Sequence, residues 1–168
     1  MADRVNQYGW VSNDTWIGVP LRVHRRCLDP MFSIANKIAY QGMMYNSTIT
    51  KEPEIRLQTR FLHVTGRVDG RHYVPEQGEL VLKLLLDEIL GSDKLPDVFV
   101  ISPFAEIPHK LKVKLQKSLQ EVLKPDKENS NILHDWLKSH VGTVHTFQGK
   151  QASGVILCFG LDDQSKGA

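Results

Sequence analysis

The chain has 168 residues and 19.1 kDa, with 41% hydrophobic and 24% charged residues. This composition suits one globular domain with a sizeable core, and it excludes a disordered, collagen-like or low-complexity chain. The net charge of +2 identifies no partner, but its distribution is uneven: residues 1–75 carry ten Lys and Arg against six acids, including all eight arginines, and the remainder eleven lysines against thirteen acids.

In chain order, residues 16–24 read as a strand interrupted near Gly18 and Pro20. Asp29-Pro30 reads as an N-cap with proline in the first turn. Phe32, Ile34, Ala35, Ile38 and Ala39 then space a helix as far as Tyr40, and Gly42 is a stop signal. Residues 43–75 are the least regular, with room for one strand between Ile55 and Val64. A helix is predicted over 76–90 from Leu80, Val81, Leu84, Leu85 and Ile89, with Gly91 just past its end. The continuous apolar run Asp97–Ile101 suits a strand buried on both faces. A helix over 107–123 turns Ile107, Leu111, Leu115, Leu119 and Val122 inward, with Lys110, Lys114 and Lys117 on another stripe. That stripe is expected to be a solvated face rather than a phosphate-tracking one. Pro125 ends this helix, 125–131 is a polar loop, and a short helix surrounds Trp136. Strands are expected at 141–146 and 154–160. Residues 1–15 and 162–168 are expected to be peripheral, with Asp162-Asp163 in a solvated turn.

Strand, helix, strand, helix, strand indicates an α/β fold with a mostly parallel sheet and helices on both faces. In such sheets ligands sit beyond the carboxyl ends of the strands. Three loops then matter: those after Leu21–His24, at Ser102–Phe104 and at His145–Lys150. Two of them hold the densest polar chemistry, Arg25-Arg26 and Thr146–Lys150.

Other chemistries lack their residues. No apolar run approaches the roughly 18 residues of a membrane span, and the N-terminus has no basic region followed by an apolar core, so no signal peptide and no membrane association are expected. Cys27 and Cys158 lie far apart, which fits a reducing, cytoplasmic compartment. Neither cysteine has a base indicated by the sequence, so packing is expected for both. There is no GxxxxGK[ST] loop to cradle phosphates and no HxxxH or HExxH spacing, so no metal site is expected. Two adjacent arginines between a strand and a helix suit a phosphate; an ion pair with Asp29 or another nearby acid is the equal alternative.

The segment GTVHTFQGKQASGVIL (142–157) resembles motif V of the superfamily-1 helicases. PLRVHRRCLDPMFSIANKIAYQGMM (20–44) resembles their motif IV block, and VFVISPF (98–104) resembles the strand and [ST]-P-[YF] loop between the two. The similarity spans roughly residues 16–161 in matching order. It is nearest the 5′-to-3′ branch that includes the nonsense-mediated-decay helicase.

The resemblance implies a RecA-like three-layer sandwich over residues 1–168, the second of two such motor domains, and an ATP-dependent helicase as the parent chain. It makes Arg26 the arginine that reaches the γ-phosphate across a cleft. Arg25, Gln148, Gly149, Lys150 and Gln151 fall at nucleotide-binding positions. Ser102, Pro103, Thr143, His145 and Thr146 fall at nucleic-acid-binding ones. ATP and Mg2+ would be held mainly by an N-terminal RecA-like domain of the same parent chain, and the partner would be single-stranded DNA or RNA. Walker A, Walker B and motif VI are expected outside these residues, so the isolated chain should neither hydrolyse ATP nor unwind. The pattern departs from motif V at Gln151, normally Glu, and at Ser153, normally Asp. These departures support an alternative, a non-catalytic RecA-like module that binds nucleic acid or protein.

Overall fold

The structure, a computed structural model, describes residues 9–18, 22–49, 55–92, 94–162 and 164. The chain divides into two compact units, Met1–Glu52 and Pro53–Ala168.

In the first unit, β1 (Gly9–Ser12) and β2 (Thr15–Gly18) form an antiparallel hairpin. Its two-residue turn has Asn13 and Asp14 at φ 49° and 60°. Positive φ at both turn positions matches the twist of the flanking strands, and Asn and Asp tolerate it. This hairpin was not expected in a peripheral N-terminus. The strand expected over 16–24 is instead β2 and a separate β3 (Val23–His24), with residues 19–21 outside the described ones. The predicted helix is α1 (Met31–Ala39). It starts one residue later than a cap at Asp29 would place it. Asp29 still serves the first turn, where its Oδ1 accepts the Ser33 N–H at 3.1 Å and the Ser33 hydroxyl. After α1 the Gly42 N–H closes on the Asn36 carbonyl at 3.0 Å. The Asn36 side chain then clamps both polar groups of Met44, at 3.0 and 2.9 Å. That return sets β4 (Tyr45–Asn46) parallel to β3. Two residues are too few for a periodic pattern, which is why β4 was hidden in a stretch read as irregular.

The second unit holds a parallel sheet in the order β6-β5-β7, with β5 (Val98–Ser102) central, β6 (Val141–Thr143) on one side and β7 (Gly154–Leu157) on the other. The apolar run predicted to be buried is therefore the middle strand. Val98 and Val100 are buried together with residues of α2 (Pro75–Ser92), α3 (Glu106–Leu123) and α4 (Lys127–His140). Ile107, Leu111, Leu115 and Leu119 of α3 are fully buried, and each such side chain stabilises the fold by roughly 1.5–3 kcal/mol. Trp136 of α4 donates its indole N–H to the Pro96 carbonyl at 2.9 Å, tying α4 to the entry of β5.

Several expectations are corrected. No strand forms between Ile55 and Val64. Ile55 and Leu57 do turn toward the core, but the Arg56 N–H between them goes to the carboxylate of Glu88, at 3.0 Å from each oxygen, in place of a neighbouring strand. Helix α2 runs through Gly91 to Ser92. Gly91 makes room instead of ending the helix: a Cβ there would meet the Arg56 guanidinium, which donates to the Gly91 carbonyl at 2.7 Å. Val122 is 53% exposed, because the buried row of α3 continues through Leu123. The polar loop over 125–131 is mostly the first turn of α4, capped by Asp126, which accepts the Asn129 N–H at 2.8 Å. The strand expected over 141–146 ends at Thr143, and 144–147 is a short helix, α5 (Val144–Phe147). β7 ends at Leu157. Beyond it Gln77 of α2 accepts the Gly160 N–H at 2.9 Å and donates to the Leu161 carbonyl at 3.0 Å. Asp162 is tied in as well, accepting the Val68 N–H at 3.0 Å; Asp163 lies outside the described residues.

The mixed α/β class expected from the sequence is what the chain adopts, with short parallel sheets and helices.

Candidate nucleotide and nucleic-acid interface

In the register of β5 with β6, Ser102 stands opposite Thr143. Two of the three loops singled out, at Ser102–Phe104 and His145–Lys150, therefore follow neighbouring strands, the second by way of residues 143–144. Ser102 is buried, and its Oγ accepts the Phe104 N–H at 3.3 Å, so its hydroxyl holds the loop while Pro103 is the exposed member.

Thr143 and Thr146 fix the start of α5. The Thr146 hydroxyl accepts the Thr143 N–H at 3.3 Å, and the two hydroxyls lie 3.1 Å apart. This reciprocal cap satisfies donors that a helix start leaves open. Phe147 is buried and stacks on Phe99 of β5 with ring centroids 4.3 Å apart. The chain then turns, with the Lys150 N–H on the Phe147 carbonyl at 2.9 Å and Gly149 at φ +84°. His145, Thr146, Gln148, Gly149, Lys150 and Gln151 are all exposed around this anchor. The Lys150 ammonium lies 5.4 Å over the Phe147 ring, an attraction between cation and ring quadrupole. The result is a cationic, amide-bearing turn on a fixed aromatic foot, chemistry that suits phosphate and sugar oxygens.

The sequence reading missed Asp97, at the entry of β5. Ser153 donates both its N–H, at 2.8 Å, and its hydroxyl, at 2.9 Å, to Asp97 Oδ2. His140 Nε2 is 3.9 Å from Asp97 Oδ1, and its ring stacks on Trp136. An acid directly before the most buried strand was the available signal.

Arg25 and Arg26 belong to the first unit and are exposed, in the loop between β3 and α1. Asp29, the acid nearest them in sequence, accepts both Ser33 bonds through its Oδ1 alone. His24 and Cys27 flank the arginines and meet: His24 Nε2 accepts the Cys27 N–H at 2.9 Å and lies 3.1 Å from Cys27 Sγ. Cys27 thus has a histidine ring beside it that spacing alone did not indicate.

The lysine stripe of α3 serves the protein itself. Lys110 Nζ lies 3.0 Å from Asp69 and 3.4 Å from Glu106, and Lys114 pairs with Glu79. The hydrogen bond to Asp69 holds the Lys110 ammonium above its usual range against partial desolvation. Partial desolvation would raise Glu106, but N–H donors of His72 and Arg71, with Lys110, carry it below the ordinary 4.5.

Among the described residues no group of three His, Cys, Asp or Glu side chains is placed to hold a metal ion, and no helix is long and apolar enough to cross a membrane. Compared with protein-family models, with curated proteins and with solved structures, the chain matches none of them.

Proposed function

We propose that this chain is the second RecA-like motor lobe of an ATP-dependent, superfamily-1-type helicase. The observation that carries the reading is the pairing of Ser102 with Thr143, which sets the motif-V-like turn beside the SPF loop at the carboxyl ends of a parallel sheet. In the proposed mechanism a companion lobe holds ATP and Mg2+, and Arg26 of this lobe meets the charge that grows on the γ-phosphate. The 143–151 turn grips a single strand of DNA or RNA through phosphates and sugars. Lys150 supplies charge there, His145 a ring hydrogen bond, and Gln148 and Gln151 amide donors. Opening and closing of the cleft around the nucleotide then moves the strand. Contacts of this kind read sequence poorly and weaken with salt.

The test is ATPase and unwinding by the parent chain carrying Arg26→Ala. A loss of a hundredfold or more in turnover is expected on the scale of arginine fingers; near wild-type turnover overturns the assignment of Arg26.

One observation favours the alternative, a non-catalytic RecA-like binding module. The position where motif V usually has Asp is Ser153, and it is committed to Asp97. Under that reading Arg26→Ala leaves binding of a single-stranded oligonucleotide unchanged and the parent chain shows no ATPase.

A further inference from the structure

We propose that residues 58–72, a strap tied down at both ends, form a second contact surface for single-stranded nucleic acid, with Arg60, Arg67 and Arg71 on phosphates and Phe61 stacked on a base. The proposal rests on the reading of this lobe as one that grips a single strand, and it adds a surface outside the 143–151 turn.

Residues 57–67 have neither helix nor strand, so the strap is held from its ends. At one end the Ile55 side chain lies over Gly154, the first residue of β7, and Glu88 takes the Arg56 N–H. At the other, Asp162 accepts the Val68 N–H at 3.0 Å and the Tyr73 carbonyl accepts the Asp69 N–H at 2.6 Å. Glu106 accepts the Arg71 and His72 N–H groups at 3.1 and 3.0 Å. The His72 ring stacks on Phe104, with centroids 3.8 Å apart and planes 9° apart. This end of the strap therefore meets the loop at Ser102–Phe104, which the lobe reading already assigns to the strand.

The acids that tie the strap down take its backbone N–H groups and leave its guanidinium groups alone. Arg60, Arg67 and Arg71 are exposed, and among the described residues none of them forms an ion pair. Asp87 lines the same groove as Arg60 without pairing with it. No acid occurs between residues 58 and 68. Phe61, directly after Arg60, is 83% exposed, and among the described residues no aromatic side chain is more so. A bare phenyl ring gains by covering its face, and a nucleobase brings a flat π-face to it. Guanidinium forks spaced along an extended backbone, with an aromatic ring between them, match a polymer that alternates phosphate and base.

The experiment measures binding of a fluorescein-labelled oligo-thymidylate, and of an abasic strand of the same length, to the intact chain by anisotropy across a salt series. The wild-type chain is expected to prefer the thymidylate strand; equal affinity for the two overturns the proposal without any variant. Phe61→Ala is expected to weaken thymidylate binding at least fivefold with the abasic strand unchanged, and Phe61→Tyr to keep wild-type binding. Arg60→Gln, Arg67→Gln and Arg71→Gln together are expected to flatten the slope of log affinity against log salt by about two, at roughly 0.7 per neutralised phosphate on a single strand. Lys150→Gln reports separately on the 143–151 turn. Strap variants that bind like the wild-type chain while Lys150→Gln binds more weakly overturn this proposal and leave the lobe reading standing. A wild-type chain that binds neither strand overturns both. Binding to phosphatidylserine vesicles but not to oligo-thymidylate gives the surface to a membrane and overturns the proposal as well.

Discussion

Ser153 gives both its backbone N–H and its hydroxyl to a single oxygen of Asp97, at 2.8 and 2.9 Å. The bond joins the start of β7 to the start of β5, where Gly154 stands opposite Val98 and its N–H reaches the Asp97 carbonyl at 3.1 Å. An acid at position 153 would therefore face the Asp97 carboxylate in place of two donors.

Ser153→Asp is therefore expected to destabilise the chain by about 1–3 kcal/mol, because two donors are traded for a like charge. Ser153→Ala, which keeps the N–H, should cost about 0.5–1.5 kcal/mol. Adding Asp97→Asn to Ser153→Asp should recover most of the larger loss. Urea midpoints of the three variants check this; equal midpoints for Ser153→Asp and Ser153→Ala would remove the charge argument.

Glu106 is expected to contribute to the acid limb. It accepts the Arg71 and His72 N–H groups and pairs with Lys110, so its folded value lies below 4.5. A depressed carboxylate contributes stability that is present above its unfolded value and disappears as pH falls through the folded one. The thermal midpoint should decline below pH 4.5, and Glu106→Gln should flatten that decline while lowering the midpoint at neutral pH.

The alkaline limb belongs to Cys158 and Tyr73. Burial raises Cys158 from 9.0 to about 11, and burial first, then Cys158 and neighbouring acids, raises Tyr73 above 10.0. Groups raised in the folded state contribute stability that is whole below their unfolded values and lost as pH climbs through the folded ones. Stability should fall between pH 9 and 11, and Cys158→Ala should shrink that fall. Midpoints measured across this range supply the test.

Gly149 and Gly160 separate conformational from steric cost. Both have positive φ, +84° and +64°. Around Gly149 a Cβ would meet nothing, whereas at Gly160 it would run into the His72 carbonyl and Ile107. Gly149→Ala should cost about 1–2 kcal/mol from the left-handed backbone alone. Gly160→Ala should cost clearly more, read as the difference in urea midpoint between the two variants.

Much of this was legible along the chain. The period of the apolar residues on α2 and α3, the continuous run of β5 and the polar group of Asp29 at the start of α1 are local patterns, set by 3.6-residue and two-residue repeats and by the donors a helix start leaves open. The dense polar stretches Arg25-Arg26 and Thr146–Lys150 were also visible in the sequence as composition. What escaped it depends on partners far away in the chain. Ile55–Val64 has the composition of a strand, but Glu88 takes the Arg56 N–H that a neighbouring strand would have bonded. Gly91 has the look of a helix stop, but Arg56 occupies the space its missing side chain leaves. The lysines of α3 were expected on a solvated face, but Asp69, Glu79 and Glu106 engage two of them. Periodicity and capping act over a few residues, so the sequence by itself determined the apolar faces of α1, α2 and α3 and the central strand. The pairings of Asp97 with Ser153, Glu88 with Arg56 and Asp162 with Val68 join residues 32 to 94 positions apart. Only the tertiary structure could decide them, because a hydrogen bond or ion pair depends on distance in space, which side-chain identity along the chain does not encode.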